Sequence, residues 1–457
     1  MNIRISSIIN IIIFFSFLGH FGINLLGQDV YYFYIFEIFL LMALFIKNGV
    51  RIDISSFENK LFLYFFLLCV ISGLVSVTAD VPDFKNQSIL TSSLKGLIYL
   101  SLNIFMILIL VTYGNNEEFF KNLLKLFKYI ILFTLIYAAL EVYHDYYSKN
   151  NIIKFILNIF HTSSRSINKD FLNLLGHEHS NSSIFVLILY SFMISNLLNQ
   201  KKVFRYYFID IAIIIALIVS LALLESKLGY VIFGVLNFFV FITIAFNLKL
   251  NFKHILSLLV LFLIVFFLYQ VFFYKVEKAM GLIFNYDHPS FNIRANFALA
   301  SLYLMYQYPI IGVGINNFKF YLLEAIEGLE KIQWLNIRTE GDIDGYSTLE
   351  LNSYLYGSAG VPDPANMILG IGAEIGILAL IIFILILIII FIKGFKLTQN
   401  NMITKEERIM AQFLFFSFII VSVSFLGFYQ LYLIIQWIIL GLNVSFFSFI
   451  YNKYYKV

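Results

Sequence analysis

Residues 366–393 read NMILGIGAEIGILALIIFILILIIIFIK, with Glu374 as the sole ionisable side chain before Lys393. A bilayer core is crossed by roughly 20 predominantly apolar residues in a helix, because a helix satisfies its own backbone hydrogen bonds where water is absent. This stretch is therefore read as a membrane span. Working outward, similar apolar runs occur near 5–26, 30–47, 60–78, 94–113, 123–143, 181–198, 207–224, 228–247, 252–274, 409–427 and 431–451, making twelve in all. The expected fold is all-α: one polytopic membrane domain over 1–457 with about twelve transmembrane helices.

Composition agrees. With 61% hydrophobic and 13% charged residues, the chain has too little polar surface to cover a soluble globule of its length. The run at 5–26 is longer than the apolar core of a secretory signal, and no small-residue cleavage site follows Leu26, so it is read as a helix. The single cysteine, Cys69, excludes internal disulfides and cysteine-based metal sites. Placing the N-terminus in the cytoplasm puts eighteen Lys and Arg in the inner segments and only Lys85, Lys95 and Lys227 in the short outer ones. The positive-inside bias therefore predicts that both termini are cytoplasmic.

Two long outer segments remain, 144–180 and 275–365, the second lying between spans nine and ten. The second holds ten acidic residues against six basic ones, which argues against a nucleic-acid platform. Within it, FNIRANFALASLYLMYQY (291–308) has helical apolar spacing and should lie at the membrane surface or dip into it. Pro309 ends that helix. Gly312 and Gly314 then allow positive φ or close backbone approach, and Asn316 or Asn317 is placed to cap the following helix, FKFYLLEAIEGLEKI (318–332).

Several polar residues stand out near this outer side. Arg294 carries a guanidinium suited to two-pronged phosphate contact, and Lys227, in LLESKLGY, is either a partner of Glu225 or of headgroups, or a second fixed cation able to meet the same anion. Asn366 begins the span quoted above, whose N-terminal dipole favours anions. Gly372 and Gly376 permit close helix contact, and Glu374, set in an apolar run, needs a partner or a function. In LLGHEHSNSSIFVLILY, Ser180 or Asn181 is an N-cap candidate. His177 and His179 fall on different helix faces, so a metal site is not expected, though an interfacial histidine suits acid–base work.

Taken together, GHEHSNSS (176–183), LLESKLG (223–229), RANFALASLYLMYQYPIIGVGINNF (294–318) and PANMILGIGAEIGIL (364–378) resemble, in order, the O-antigen ligase and polymerase family. The resemblance covers roughly 175–390. It carries with it the expectation of a membrane-embedded glycosyltransferase in the bacterial inner membrane, acting at its outer face on undecaprenyl-diphosphate-linked oligosaccharide, with no cofactor and no metal. In this sequence Ala365 stands where the family usually has a histidine, and Lys227 replaces an arginine.

The implied roles fall on particular residues. Arg294 and Lys227 would hold the diphosphate, and His288, or Glu374 if it can reach, would take the acceptor proton, with His177 and His179 as substitutes. Asn181, His179, Gly312, Gly314, Asn317 and Asn366 would line the substrate site. Two long outer loops favour a polymerase, which holds two lipid-linked glycans, over a ligase. A transporter or flippase of lipid-linked oligosaccharide, or a scaffold of a glycan-export complex, are the readings from other classes. Expected partners are the lipid-linked glycan, membrane lipids, a chain-length regulator and a flippase, and not nucleic acid.

Overall fold

The computed structural model describes residues 5–17, 22–25, 28–31, 34–40, 42, 56–79, 81–146, 151, 153, 179–199, 204–224, 226–247, 289–331, 362–364, 366–400, 402–427, 429 and 433–455. The elements, in order, are α1 (Ile5–Phe17), β1 (Gly22–Leu25), β2 (Gln28–Tyr31), α2 (Phe57–Ser76), α3 (Ile89–Tyr113), α4 (Glu117–Tyr146) and α5 (His179–Asn199). There follow α6 (Phe204–Leu223), α7 (Lys227–Asn247), α8 (Pro289–Gln307), α9 (Phe318–Lys331), α10 (Met367–Glu374), α11 (Ile377–Thr398), α12 (Lys405–Gly427) and α13 (Ile434–Tyr454).

The protein is an all-α polytopic membrane protein. Among the described residues eight helices are long and apolar enough to cross a bilayer (α2, α3, α4, α5, α7, α11, α12 and α13), and α6 contributes the shorter apolar helix Phe208–Leu223. The two expected spans nearest the N-terminus are altered. The run at 5–26 is helical only to Phe17, and Gly22–Leu25 pairs antiparallel with Gln28–Tyr31, which takes the start of the 30–47 run into a ribbon. Glycines 19, 22 and 27 punctuate this apolar stretch, and hydrophobicity alone does not separate strand from helix there. The run at 252–274 lies outside the described residues.

The bundle is built around α5, α12 and α13, which are 83%, 83% and 89% buried along their apolar windows, against 28% for α7 and α11. Polar side chains tie these central helices together where lipid cannot compete. Ser191 and Ser417 hydroxyls meet at 3.0 Å, Gln436 Nε2 donates to Ser424 Oγ at 3.0 Å, and Asn443 Nδ2 donates to the Leu414 carbonyl at 3.1 Å. On α11, Ile381, Leu385, Ile388 and Ile392 face outward, as a lipid-covered surface requires.

The two ends of the bundle differ in chemistry. At one end Lys453 Nζ bridges Glu407 (2.7 Å) and Glu117 (3.0 Å), Lys121 pairs with Glu117, and Lys393 pairs with Glu58. These pairs hold α4, α12 and α13 together, and α2 to α11. At the other end α8, α9 and α10 form a lobe with a small core of its own, including Phe297, Leu304, Phe318, Leu322 and Leu329. That end also holds the turn between α8 and α9, which packs against the junction of α10 and α11.

Candidate functional site

Why the chain spells YPIIGVGINNF over 308–318 becomes clear from its partner, the break between α10 and α11. The stretch expected to be one span at 366–393 is interrupted at Ile375–Gly376, where Gly376 takes φ of 100°. The turn pairs with the exposed backbone of that break. Val313 N–H donates to Ala373 O (3.0 Å), Gly314 N–H to Glu374 O (2.7 Å), and Ile377 N–H to Pro309 O (2.8 Å). Such bonds satisfy the groups that a broken helix leaves open. Gly312 and Gly314 adopt φ of 70° and 98°. A Cβ on Gly312 would lie 2.4 Å from the Glu374 carbonyl carbon, and one on Gly314 would lie 2.2 Å from Ser76 Cβ. Both glycines are therefore required by handedness and by space.

Glu374 sits at the centre of the joint, 1% exposed. One carboxylate oxygen accepts the Asn316 N–H at 2.8 Å and the Tyr429 hydroxyl; the other accepts the Phe318 N–H at 3.0 Å. A buried carboxylate becomes tolerable when several donors converge on it. Glu374 is thus buried among protein donors, the partners that a carboxylate in an apolar run requires. The N-terminus of α9 is capped by Glu374 and not, as expected, by Asn316 or Asn317; Asn317 Nδ2 instead donates to Ser93 (2.8 Å) and Ser76 (3.0 Å), while among the described residues its Oδ1 accepts nothing. Asn316 takes φ of 63° and donates its Nδ2 to Ser92 Oγ at 3.0 Å. Gly372 packs under Met305 of α8, whereas Gly376 forms the break. Asn366 does cap α10, accepting the Leu369 N–H at 2.9 Å.

Lys319, beyond the glycine turn, is 6% exposed and donates to Gln87 Oε1 at 2.6 Å. It therefore pins α9 to the segment between α2 and α3. Burial lowers its pKa, and the nearby Glu374 charge opposes that shift.

The second cluster lies where α5 and α7 begin. Ser183 Oγ donates to Ser226 Oγ at 3.2 Å, and Ser226 Oγ accepts the Gly229 N–H at 3.0 Å. Gly229 lets the helices approach, since a Cβ there would lie 2.7 Å from Ser183 Cβ. Two helix N-termini, both electropositive, thus meet. Lys227 is half-buried and Arg294 exposed, and they are close enough for their charges to repel. Among the described residues neither forms an ion pair. Asn181, inside the first turn of α5 and not capping it, is 4% exposed with an unpartnered Oδ1. Among the described residues no acid pairs with these two cations, which lie beside two helix N-termini as an anion site requires; Glu225, two residues before Lys227, lies outside the described residues.

The structure thus groups Lys227 with Arg294 and gathers Gly312, Gly314, Asn317 and Glu374 into the joint. His177, His288 and Ala365 lie outside the described residues, and His179 is the first residue of α5. Sequence reasoning did not single out Ser76, Ser92, Ser93, Gln87 or Tyr429. The serines were the available signal: polar residues at the facing ends of two apolar helices need partners. Among the described residues no three His, Cys, Asp or Glu side chains are grouped to hold a metal. Comparison with known proteins finds no family model and no curated protein that matches this chain.

Proposed function

We propose that the chain polymerises lipid-linked glycan repeat units at the outer face of the bacterial inner membrane. The observation that carries this reading is the proximity of Lys227 and Arg294, neither of which forms an ion pair among the described residues, at the end of the bundle where α5 and α7 begin. Like charges held together without a carboxylate cost energy unless an anion joins them. A diphosphate supplies that anion, and the order of motifs in the sequence is the further support for a polyprenyl-diphosphate donor.

In the reaction, the acceptor hydroxyl oxygen attacks the anomeric carbon while the bond from that carbon to the diphosphate breaks. Negative charge grows on the leaving diphosphate, where Arg294 and Lys227 stabilise it. Asn181 Oδ1, buried in the first turn of α5 and without a partner among the described residues, would accept a hydrogen bond from the donor. The hydroxyl proton is assigned to a histidine, His288 first, because Glu374 is occupied in the joint. The joint in turn holds α8, and with it Arg294, against α10. The short-loop charge bias supports an outward-facing joint and cytoplasmic termini.

The test is the surface glycan of cells lacking the protein, complemented by wild type or by Arg294→Ala at matched level. Single-repeat glycans without long chains are expected in the deletion and in the variant. Unattached lipid-linked polymer would indicate a ligase, repeat units trapped at the inner face a transporter, and unchanged chain lengths would overturn the reading.

A further inference from the structure

We propose that the seam between α8 and α9 is a binding platform for the sugar chain, formed by Tyr303, Tyr308 and Glu324, with the buried Tyr321 packed behind Tyr308. It rests on the reading above that the substrate is a glycan. Tyr308 packs edge-on against Tyr321, with ring centroids 5.6 Å apart, and its hydroxyl donates to Glu324 Oε1 at 3.0 Å. Tyr303 stands near Tyr308 and lies against α9 at Gly328, where a Cβ would come within 2.1 Å of the tyrosine ring. Gly328 is therefore the residue that lets Tyr303 lie against α9.

The chemistry of the seam matches a carbohydrate. A pyranose ring presents an apolar C–H face, which covers an aromatic ring, and a rim of hydroxyls, which donate to carboxylates. Tyr303 and Tyr308 are half-buried and Glu324 is exposed. Among the described residues Glu324 Oε2 takes no hydrogen bond, so it remains available as an acceptor. Burial, and then Glu324, raise the Tyr308 pKa to about 12, so its phenol stays protonated and able to donate.

The bilayer is not the occupant of this seam. The apolar outer stripe of α8 and its turn is Leu302, Tyr306 and Ile310, with Tyr306 79% exposed. Ile310 adjoins Gly376 at the head of the lipid-facing helix α11, which makes that stripe continuous with the lipid-covered surface. The seam holds a carboxylate and lies off that stripe. Arg294 and Tyr303 are nine positions apart on α8, about 13 Å along its axis, a length that a short oligosaccharide spans.

The platform is tested with the full-length protein in lipid nanodiscs, titrated calorimetrically with lipid-free and phosphate-free fragments of the producing cells' surface polysaccharide. Wild type should bind. Tyr303→Ala and Glu324→Gln should each weaken binding at least tenfold, while Tyr303→Phe and the lipid-facing control Leu302→Ala should stay within twofold. Equal binding by wild type, Tyr303→Ala and Glu324→Gln, or no binding by wild type, would overturn the platform. Because the fragments carry no diphosphate, this result is independent of the Arg294 glycan profile. Full-length glycan in Arg294→Ala cells with intact fragment binding would remove the polymerase reading and leave the platform standing.

Discussion

Glu374 Oε1 accepts the backbone N–H of Phe318 at 3.0 Å, a bond across 56 positions that makes a carboxylate ending α10 the N-terminal cap of α9. The other oxygen receives Asn316 and Tyr429. One side chain thus ties the end of α10 to the start of α9 and to Tyr429, beyond α12.

Glu374→Gln replaces one acceptor oxygen by a donor and leaves at least one buried N–H or O–H unpaired. It should cost about 1–3 kcal/mol, seen as a lower melting temperature of the purified protein by circular dichroism. Tyr429→Phe should cost less, since it removes a single donor and leaves the carboxylate two others. A Glu374→Gln protein that melts with wild type would show the joint to be held by backbone bonds alone.

Gly312→Ala and Gly314→Ala should each destabilise by about 2 kcal/mol or more, because strain at positive φ adds to steric overlap. Gly234 on α7 has nothing within 4 Å of where a Cβ would stand. Gly234→Ala should therefore be neutral or stabilising by up to about 1 kcal/mol. Similar melting temperatures for all three variants would contradict the packing described here.

Lys319 looks in sequence like a surface cation, but its contact with Gln87 makes it structural. Lys319→Ala should lower stability by about 1–3 kcal/mol, and Gln87→Ala should reproduce part of that loss. A double-mutant cycle in which the two effects simply add would rule out the contact as their cause.

At the cation pair, Arg294→Lys should restore only part of the polymer made by wild type, since an ammonium lacks the two-pronged geometry. Lys227→Arg should be tolerated. Arg294→Glu, which offers Lys227 an internal partner, should abolish polymer while leaving protein level unchanged. Glycan length profiles at matched expression decide this, and full-length polymer from Arg294→Glu would exclude the pair from anion binding.

Orientation is tested with a reporter active only outside the cytoplasm. Fused after Tyr455 it should be inactive, and inserted after Lys331 it should be active. The opposite pattern would invert the bundle.

Much of the architecture was legible in the sequence because membrane insertion is a local property. A run such as 377–392 has no alternative to a spanning helix, and Pro309 with two glycines announces a turn between α8 and α9. Where an apolar run contained glycines, as at 5–26, composition did not decide between helix and ribbon. Of the site, the residue types of Arg294 and Lys227 were legible, as was the position of Asn366 where a helix begins, because a helix start is marked within its own turn.

The sequence by itself determined the all-α membrane class, the spans from Phe57 onward that the structure describes, save the break at Ile375–Gly376, and the helix–turn–helix over 289–331. Only the tertiary structure decided what the unusual residues do. Glu374 proved to be a cap for a distant helix, Gly376 a break, Lys319 a strut and Tyr429 a donor to Glu374, while Lys227 and Arg294 proved to be neighbours. The physical reason is that apolar burial and helix formation depend on residues a few positions apart. A buried polar group is satisfied by whichever donors and acceptors the packed helices bring to it, and those come from remote parts of the chain.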